Sequence, residues 1–260
     1  MAASVRIGEI TEHADRIRAA ELLATIWRVP IAESPVPADL MTAFGHAGGC
    51  VLGAWTDDGA LVGVSIGFAG APASDRLHSY IAGVSTDVAG QGVGRLLKLA
   101  QRDWALAQGA AYLVWTYDPL IRRNAHFNLN RLGARVTDFD QDHYPPMLDA
   151  VNAGDLPDRF VVEWQLADEP GGRRLPDSAG TPLLLADAQG EPAPNLNGLA
   201  GAVLRAWIPR DIEALRRADP ELGRRWRLAA REVFGAAFAA GYRPVGVDAD
   251  GHYVFTQEAE

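Results

Sequence analysis

The sequence predicts an α/β (α+β) fold: a mixed, mostly antiparallel sheet with a central parallel strand pair and flanking helices, followed by a C-terminal α/β extension. Three observations carry that expectation. Two apolar runs, Cys50 to Thr56 and Ala60 to Phe68, flank Asp57-Asp58-Gly59, and a glycine free to take positive φ makes this a hairpin turn. Leu77 to Val84 and Ala111 to Tyr117 read as strands with one amphipathic helix between them, which is a βαβ unit with a parallel pair. A Pro/Gly-rich stretch, 168–182, then reads as a linker between a domain at 1–167 and a second unit at 183–260.

The elements follow in order. Residues 11–28 place Ala14, Ile17, Ala20, Ala24 and Trp27 at helical spacing until Pro30, Pro35 and Pro37 break the pattern, and a short second helix fits between Pro37 and Gly45. In the helix between the paired strands, Val93, Leu96, Leu97, Ala100, Trp104 and Ala107 share one face, Arg95, Lys98 and Arg102 lie away from it, and Gly109 caps the end. Tyr112-Leu113-Val114-Trp115 is apolar on both faces, as a buried strand is. After Asp118-Pro119 a shorter helix runs to Leu132-Gly133, then a strand over Ala134 to Phe139, a long polar segment, and alternating Phe160, Val162, Trp164 and Leu166. The first 167 residues therefore read α, α, ββ, β, α, β, α, β, β. Beyond the linker come a strand, helices begun by Pro209 and Pro220, and a hairpin around Asp248 to Gly251; the Trp226 to Phe238 stripe reads as core. Gly241-Tyr242-Arg243 follows its helix as Gly133-Ala134-Arg135 follows another, a weak internal echo.

Composition narrows the function. The 260 residues carry 24 basic and 33 acidic side chains, a net charge of -9, and 48 % apolar residues, enough to bury a full core without staples. A single cysteine, Cys50, excludes an internal disulfide and a Cys-rich zinc cage. Early acids interrupt any export signal, and no run reaches the ~18 residues of a spanning helix, so a cytoplasmic protein off the membrane is expected. Lys98 is the one lysine, which disfavours Schiff-base chemistry and Walker-type loops. The acidic balance disfavours nucleic acid, because phosphate neutralisation supplies most of that affinity. A small molecule is the expected partner, no metal is expected, and the protein itself is expected to be a monomer or homodimer.

The chemistry-bearing motif is Ala89-Gly90-Gln91-Gly92-Val93-Gly94-Arg95, at the junction of a strand with the amphipathic helix. Unpaired amides of a first helical turn, the helix dipole and glycine's close approach suit a diphosphate held by main chain. The dinucleotide fingerprint requires glycine where Arg95 stands, and no Gly-Lys-Ser/Thr follows for a triphosphate loop. By itself the turn is equally consistent with a connection that binds nothing.

The order hairpin, strand, Gly-rich turn, amphipathic helix, buried strand and Leu-Gly-ended helix resembles the GNAT superfamily of acyl-CoA-dependent N-acyltransferases. Gly92 and Gly94 match the glycines of its Arg/Gln-x-x-Gly-x-Gly/Ala signature, while Ala89 stands at the Arg/Gln position. The resemblance covers about residues 1–167. Trp115-Thr116-Tyr117-Asp118-Pro119-Leu120, Asn124 to Asn128, Asp158 to Trp164 and the tail from Trp226 to Tyr242 resemble a subgroup of larger bacterial members that includes N-succinyltransferases acting on amino acids. It implies acetyl-CoA or another acyl-CoA, succinyl-CoA included, as co-substrate. It also implies direct transfer in a ternary complex to the amine of a small molecule such as an amino acid, while the internal echo noted above is the basis for reading 183–260 as a degenerate half-GNAT repeat. Carried over by position, Val84 bonds the pantetheine arm, Gln91, Gly92, Val93, Gly94 and Arg95 hold the diphosphate, and Asn124, Phe127 and Asn128 wall the arm.

Amine acylation needs a neutral amine, an oriented carbonyl, donors for the developing oxyanion and an exit for the thiol. If the parallel strands splay at Val84, its N–H polarises the thioester carbonyl. The family's usual tyrosine acid falls at Leu129; because a thiolate leaves with little acid assistance, catalysis survives that change, and Tyr144 and Tyr80 are the substitutes. Candidate bases are His78, Asp118 and His126; His78 and Tyr80 share one strand face, the expected substrate face. Arg159 would grip a substrate carboxylate. The alternative reading is a catalytically weak or inactive CoA-binding or protein-interaction module.

Overall fold

The computed structural model describes residues 4–69, 75–145, 155–177 and 179–257. Two units divide the chain. The first runs through Trp115 and takes in Gln165–Asp168; the second holds the other described residues from Thr116 onward. The division falls inside a strand rather than at the expected 168–182 linker. Gly171 N donates to Leu132 O at 3.3 Å and Gly172 N to Asn130 O at 2.8 Å, so the Pro/Gly stretch is docked against its own unit, with backbone groups satisfied there instead of crossing solvent.

The first unit contains β1 (Val5–Glu9), α1 (His13–Trp27), α2 (Ala38–His46), β2 (Cys50–Thr56), β3 (Leu61–Ala69), β4 (Arg76–Val84), α3 (Val93–Ala107) and the start of β5 (Tyr112–Tyr117), with strands in the order β1-β2-β3-β4-β5. β1 goes beyond the sequence reading. A five-residue run containing Gly8 carries little strand signal, and its order comes from its ladder on β2, Val5↔Thr56 to Glu9↔Leu52. The expected hairpin is present as β2 and β3, with Gly59 at φ 86°. The β1–β4 ladders are antiparallel, and β4 and β5 form the expected parallel pair. Helix α3 buries Val93, Leu97 and Ala105; Val93 and Leu97 cluster with Cys50, Leu52, Ala54 and Val62 of the sheet. Lys98 and Gln101 are buried with that face, correcting the expectation that Lys98 points away from it.

In the second unit, α4 (Arg122–Ala125) passes into a π-helical segment, His126–Leu132, where one continuous helix was expected; Gly133 ends it at φ 81°. β6 (Arg135–Asp140) and β7 (Arg159–Gln165) pair antiparallel. There follow β8 (Thr181–Ala186), β9 (Pro192–Pro194), β10 (Val203–Trp207), α5 (Ile212–Ala218), α6 (Pro220–Ala239), β11 (Tyr242–Val247) and β12 (His252–Gln257). Their sheet has the order β11-β12-β10-β8-β9, with β8 and β10 parallel. Asp211 caps α5 through Ala214 N, and Asp219 caps α6 through Leu222 N ahead of Pro220, so both helices start where side-chain acceptors meet free amides. Trp226, Val233 and Phe234 of α6 are buried, and Phe234 packs on Phe160, Tyr253 and Phe255, as the core reading of that stripe expects.

Candidate active site

The parallel register of β4 and β5 consists of Arg76↔Tyr112, Leu77↔Leu113 and His78↔Val114, and stops there, although β4 continues from Ser79 to Val84. The two strands part. Along the open stretch β4 keeps its ladder to β3, ending at Gly63↔Val84, and the next bond runs from Ser85 N to Val62 O at 2.8 Å. Val84 therefore sits at a non-hydrogen-bonded position of that ladder, and its own N–H and C=O turn away from β3, toward the side β5 has left. The strands part at Ser79, five residues before the expected splay point at Val84.

Beyond Val84 a 3₁₀ turn, Thr86–Val88, leads to the Gly-rich segment. Gly90 and Gly92 take φ 76° and 90°, and Gly92 is the N-cap of α3 with no side chain to satisfy the helix. Within the turn Gln91 N bonds Val88 O, and Arg95 N and Leu96 N bond Gly92 O; the amides of Gly92, Val93 and Gly94 have no partner among the described residues. No acid stands in the first turn of α3, and a Cβ at Gly90 or Gly92 would meet open space. A Cβ at Gly94 would lie 3.7 Å from Val84 Cγ2, so turn and strand end are neighbours. Three donors without a partner among the described residues, at the positive end of a helix dipole, are suited to receive an anion. The segment thus fits a diphosphate without any basic side chain.

On the α3 side of the parting strands lies a polar cluster absent from the sequence reading. Lys98 is 5 % exposed; its Nζ donates to Ser79 Oγ at 2.6 Å and Gln101 Oε1 at 3.3 Å and rests 3.9 Å from the centre of the Trp115 ring. Ser79 Oγ donates to Gln101 Oε1 at 2.7 Å, and Gln101 Nε2 has no partner. Burial pushes the Lys98 amine down to about 7, opposed only by the Cys50 thiol, which burial in turn pushes up to about 12. One signal was available: the chain uses lysine once, at the position following Leu97 on the apolar face.

The opposite face of β4 presents His78 and Tyr80, as expected from their spacing. The His78 ring lies 5.2 Å from Phe68, and Tyr80, 43 % exposed, lies 5.9 Å from Phe68 and 6.3 Å from Phe44 of α2. The face is an aromatic surface reached from outside.

The second unit holds the remaining candidates. Asp118 is 6 % exposed and fully engaged: Oδ1 accepts from Arg227 Nη2 at 2.7 Å and Leu120 N at 2.9 Å, and Oδ2 accepts from Arg216 Nη2 at 3.1 Å. Despite burial, the guanidinium groups of Arg227, Arg216 and Arg159 hold its carboxyl well below the usual range. Such a carboxylate is a poor proton acceptor, which corrects the expectation of a base. Asp155 joins the network through Arg216 and Arg227. Arg159, 7 % exposed, donates to Asp158 O and stacks 5.4 Å from the Tyr144 ring; burial against its own chain removes it from open recognition of a carboxylate. Tyr144 Oη lies 3.2 Å from Thr116 Oγ1. Asn128 and Leu129 are buried in the π-helical segment, Asn124 and Phe127 are half-buried, and His126 is exposed, its imidazole pushed down by partial burial and Arg131.

Residues 6–120 match the family described as "Acetyltransferase (GNAT) domain", a span that includes β1 to β5, the turn and α3. Over those residues the chain is similar to the GNAT acetyltransferase domain. The structure is similar to that of an acetyltransferase of the GNAT family from Streptococcus pneumoniae, with a TM-score of 0.50 and 14 % identity over 62 % of this chain and 99 % of that one. It is also similar to a GNAT-family structure from Desulfovibrio desulfuricans, with a TM-score of 0.51 and 16 % identity over 63 % and 100 %. A third, yncA from Salmonella typhimurium with its cofactor acetyl-CoA, has a TM-score of 0.49 and 18 % identity over 68 % and 100 %. The likeness to the first two structures is one of fold. Among curated proteins none matches the chain in sequence. No described helix is long and apolar enough to cross a membrane.

Proposed function

We propose that the protein is an acyl-CoA-dependent N-acyltransferase that moves an acetyl or succinyl group to the primary amine of a small molecule by direct attack in a ternary complex. The observation that carries this reading is the parting of β4 and β5 after His78 and Val114, with the Val84 amide turned into the opening and three unpaired amides, Gly92 to Gly94, at its end. The thioester of acyl-CoA supplies an activated acyl group and a thiolate that leaves readily. The chain supplies position. Its turn amides hold the diphosphate, the Val84 N–H donates to the carbonyl oxygen as charge gathers there, and the face of His78 and Tyr80 receives the amine. The N–C bond forms as C–S breaks, and the proton shed by the amine is returned to the thiolate, with Tyr144 as donor.

The test is thiol release from acetyl-CoA and succinyl-CoA over a panel of amines, beside calorimetric titration with CoA. Saturable binding with amine-dependent release is expected. Binding without release on any amine would replace this reading by a CoA-binding or interaction module, which two features favour: apolar, buried Leu129 at the usual acid position, and Asp118 locked between two arginines.

A further inference from the structure

We propose that Lys98 is a positioning residue for acyl transfer: reaching across from α3, its side chain grips Ser79 of β4 and Trp115 of β5, the first residue on each strand beyond their last pair, and so sets the branch point of the opening. This inference rests on the acyltransferase reading. The contacts are Nζ to Ser79 Oγ at 2.6 Å and Nζ to the Trp115 ring centre at 3.9 Å, and the last register pair is His78↔Val114. Both partners therefore lie where the ladder stops providing order. A leucine or methionine would fill this apolar helix position without desolvating a charge, and no carboxylate among the described residues offsets the ammonium. What the ammonium adds is direction. It donates to a hydroxyl on one arm, lies on the π face of the other, and is fixed by the Gln101 carbonyl on its own helix. With both arms held, the amides beyond Ser79 keep the spacing that a carbonyl needs.

The titratable surroundings are sparse. From β2 the Cys50 thiol faces the amine, with Glu9 of β1 acting on that thiol; β4 and β5 present Ser79 and Trp115. With the amine pushed down to about 7, its grip weakens as the proton leaves above neutrality.

The single lysine allows a direct experiment on the full chain. With ¹³C-labelled lysine the ε-carbon gives one resonance, expected to titrate near pH 7 and to move when CoA is added. A resonance that titrates above pH 9, or one that stays fixed while calorimetry shows CoA bound, would overturn the proposal. In kinetics with acetyl-CoA, Lys98→Met and Ser79→Ala are expected to lower kcat about tenfold while the Kd for CoA stays within about twofold, because misplacement of the reacting atoms costs rate rather than diphosphate binding. The ratio of wild-type to Lys98→Met kcat is expected to fall as pH rises through 7, a comparison in which titration of the amine substrate cancels. Equal kcat in wild type and both variants at every pH would remove Lys98 alone; wild-type protein inert toward every amine would remove the acyltransferase reading with it. Should Lys98→Met not fold, Ser79→Ala and the labelled wild type decide the matter.

Discussion

Lys98 of the first unit and Asp118 of the second are both buried ionisable groups, and the two are treated in opposite ways. Asp118 is closed: both oxygens are taken, two arginines neutralise it, and Asp155 completes the network. Lys98 is open: its partners are a hydroxyl, an amide carbonyl and an indole face, with Gln101 Nε2 left unpaired beside it. A closed network stabilises its own geometry and resists any change of protonation. An open one holds a charge whose state answers to the surroundings, which is the property a reaction site needs.

The sharpest way to break this contrast is Asp118→Ala, which leaves Arg216 and Arg227 short of a counter-charge in the core; a loss of about 3–5 kcal/mol in denaturant unfolding is expected. Because the folded carboxyl titrates below its unfolded value of about 4, its contribution is complete above that pH and drains away as pH falls below it. The Asp118→Ala protein should therefore lack that part of the acid dependence; an unchanged acid limb would show the network to be idle.

Next in size is Gly92→Glu, which sets a carboxylate against the diphosphate and is expected to weaken CoA binding about 100-fold in calorimetry. Gly92→Asn, which tolerates positive φ, serves as the control for backbone strain at φ 90°. Full affinity in Gly92→Glu would separate the turn from the opening.

Lys98→Met should run opposite to Asp118→Ala and raise stability at pH 7 by about 1–3 kcal/mol, since an apolar side chain replaces a desolvated amine. The folded amine titrates near 7 against about 10.4 unfolded, so the wild-type penalty is complete below pH 7 and fades toward pH 10, and the gain of the variant fades with it. A loss of stability at pH 7 would sink the contrast between the two groups. The smallest effect is expected of Tyr144→Phe: a kcat about tenfold lower with unaltered CoA affinity, for loss of one proton donor. Full activity would exclude Tyr144 as the acid.

Much of the fold is legible locally. The hairpin at Gly59, the helix between β4 and β5, their parallel pairing and the Gly-rich turn each follow from apolar period and from breaker residues a few positions apart. β1 is not legible, because five residues with a glycine acquire strand order only from a partner more than forty positions away. The docking of Gly171 and Gly172 on Leu132 and Asn130 escapes for the same reason: its backbone bonds close over a distance no local pattern records. At the site, the position of the Gly-rich turn at the start of α3 could be read from sequence. The fates of Asp118 and Arg159 could not, since the arginines that engage Asp118 stand 98 and 109 residues away.

By itself the sequence determines where amides are left without partners, because glycine content, helix starts and the absence of acidic caps are properties of neighbours along the chain. Only the tertiary structure decides which charged side chains are chemically available. Desolvation and pairing depend on what the folded chain brings around a group, and that turned an expected base into a locked ion pair and an expected surface lysine into the pin of a fork.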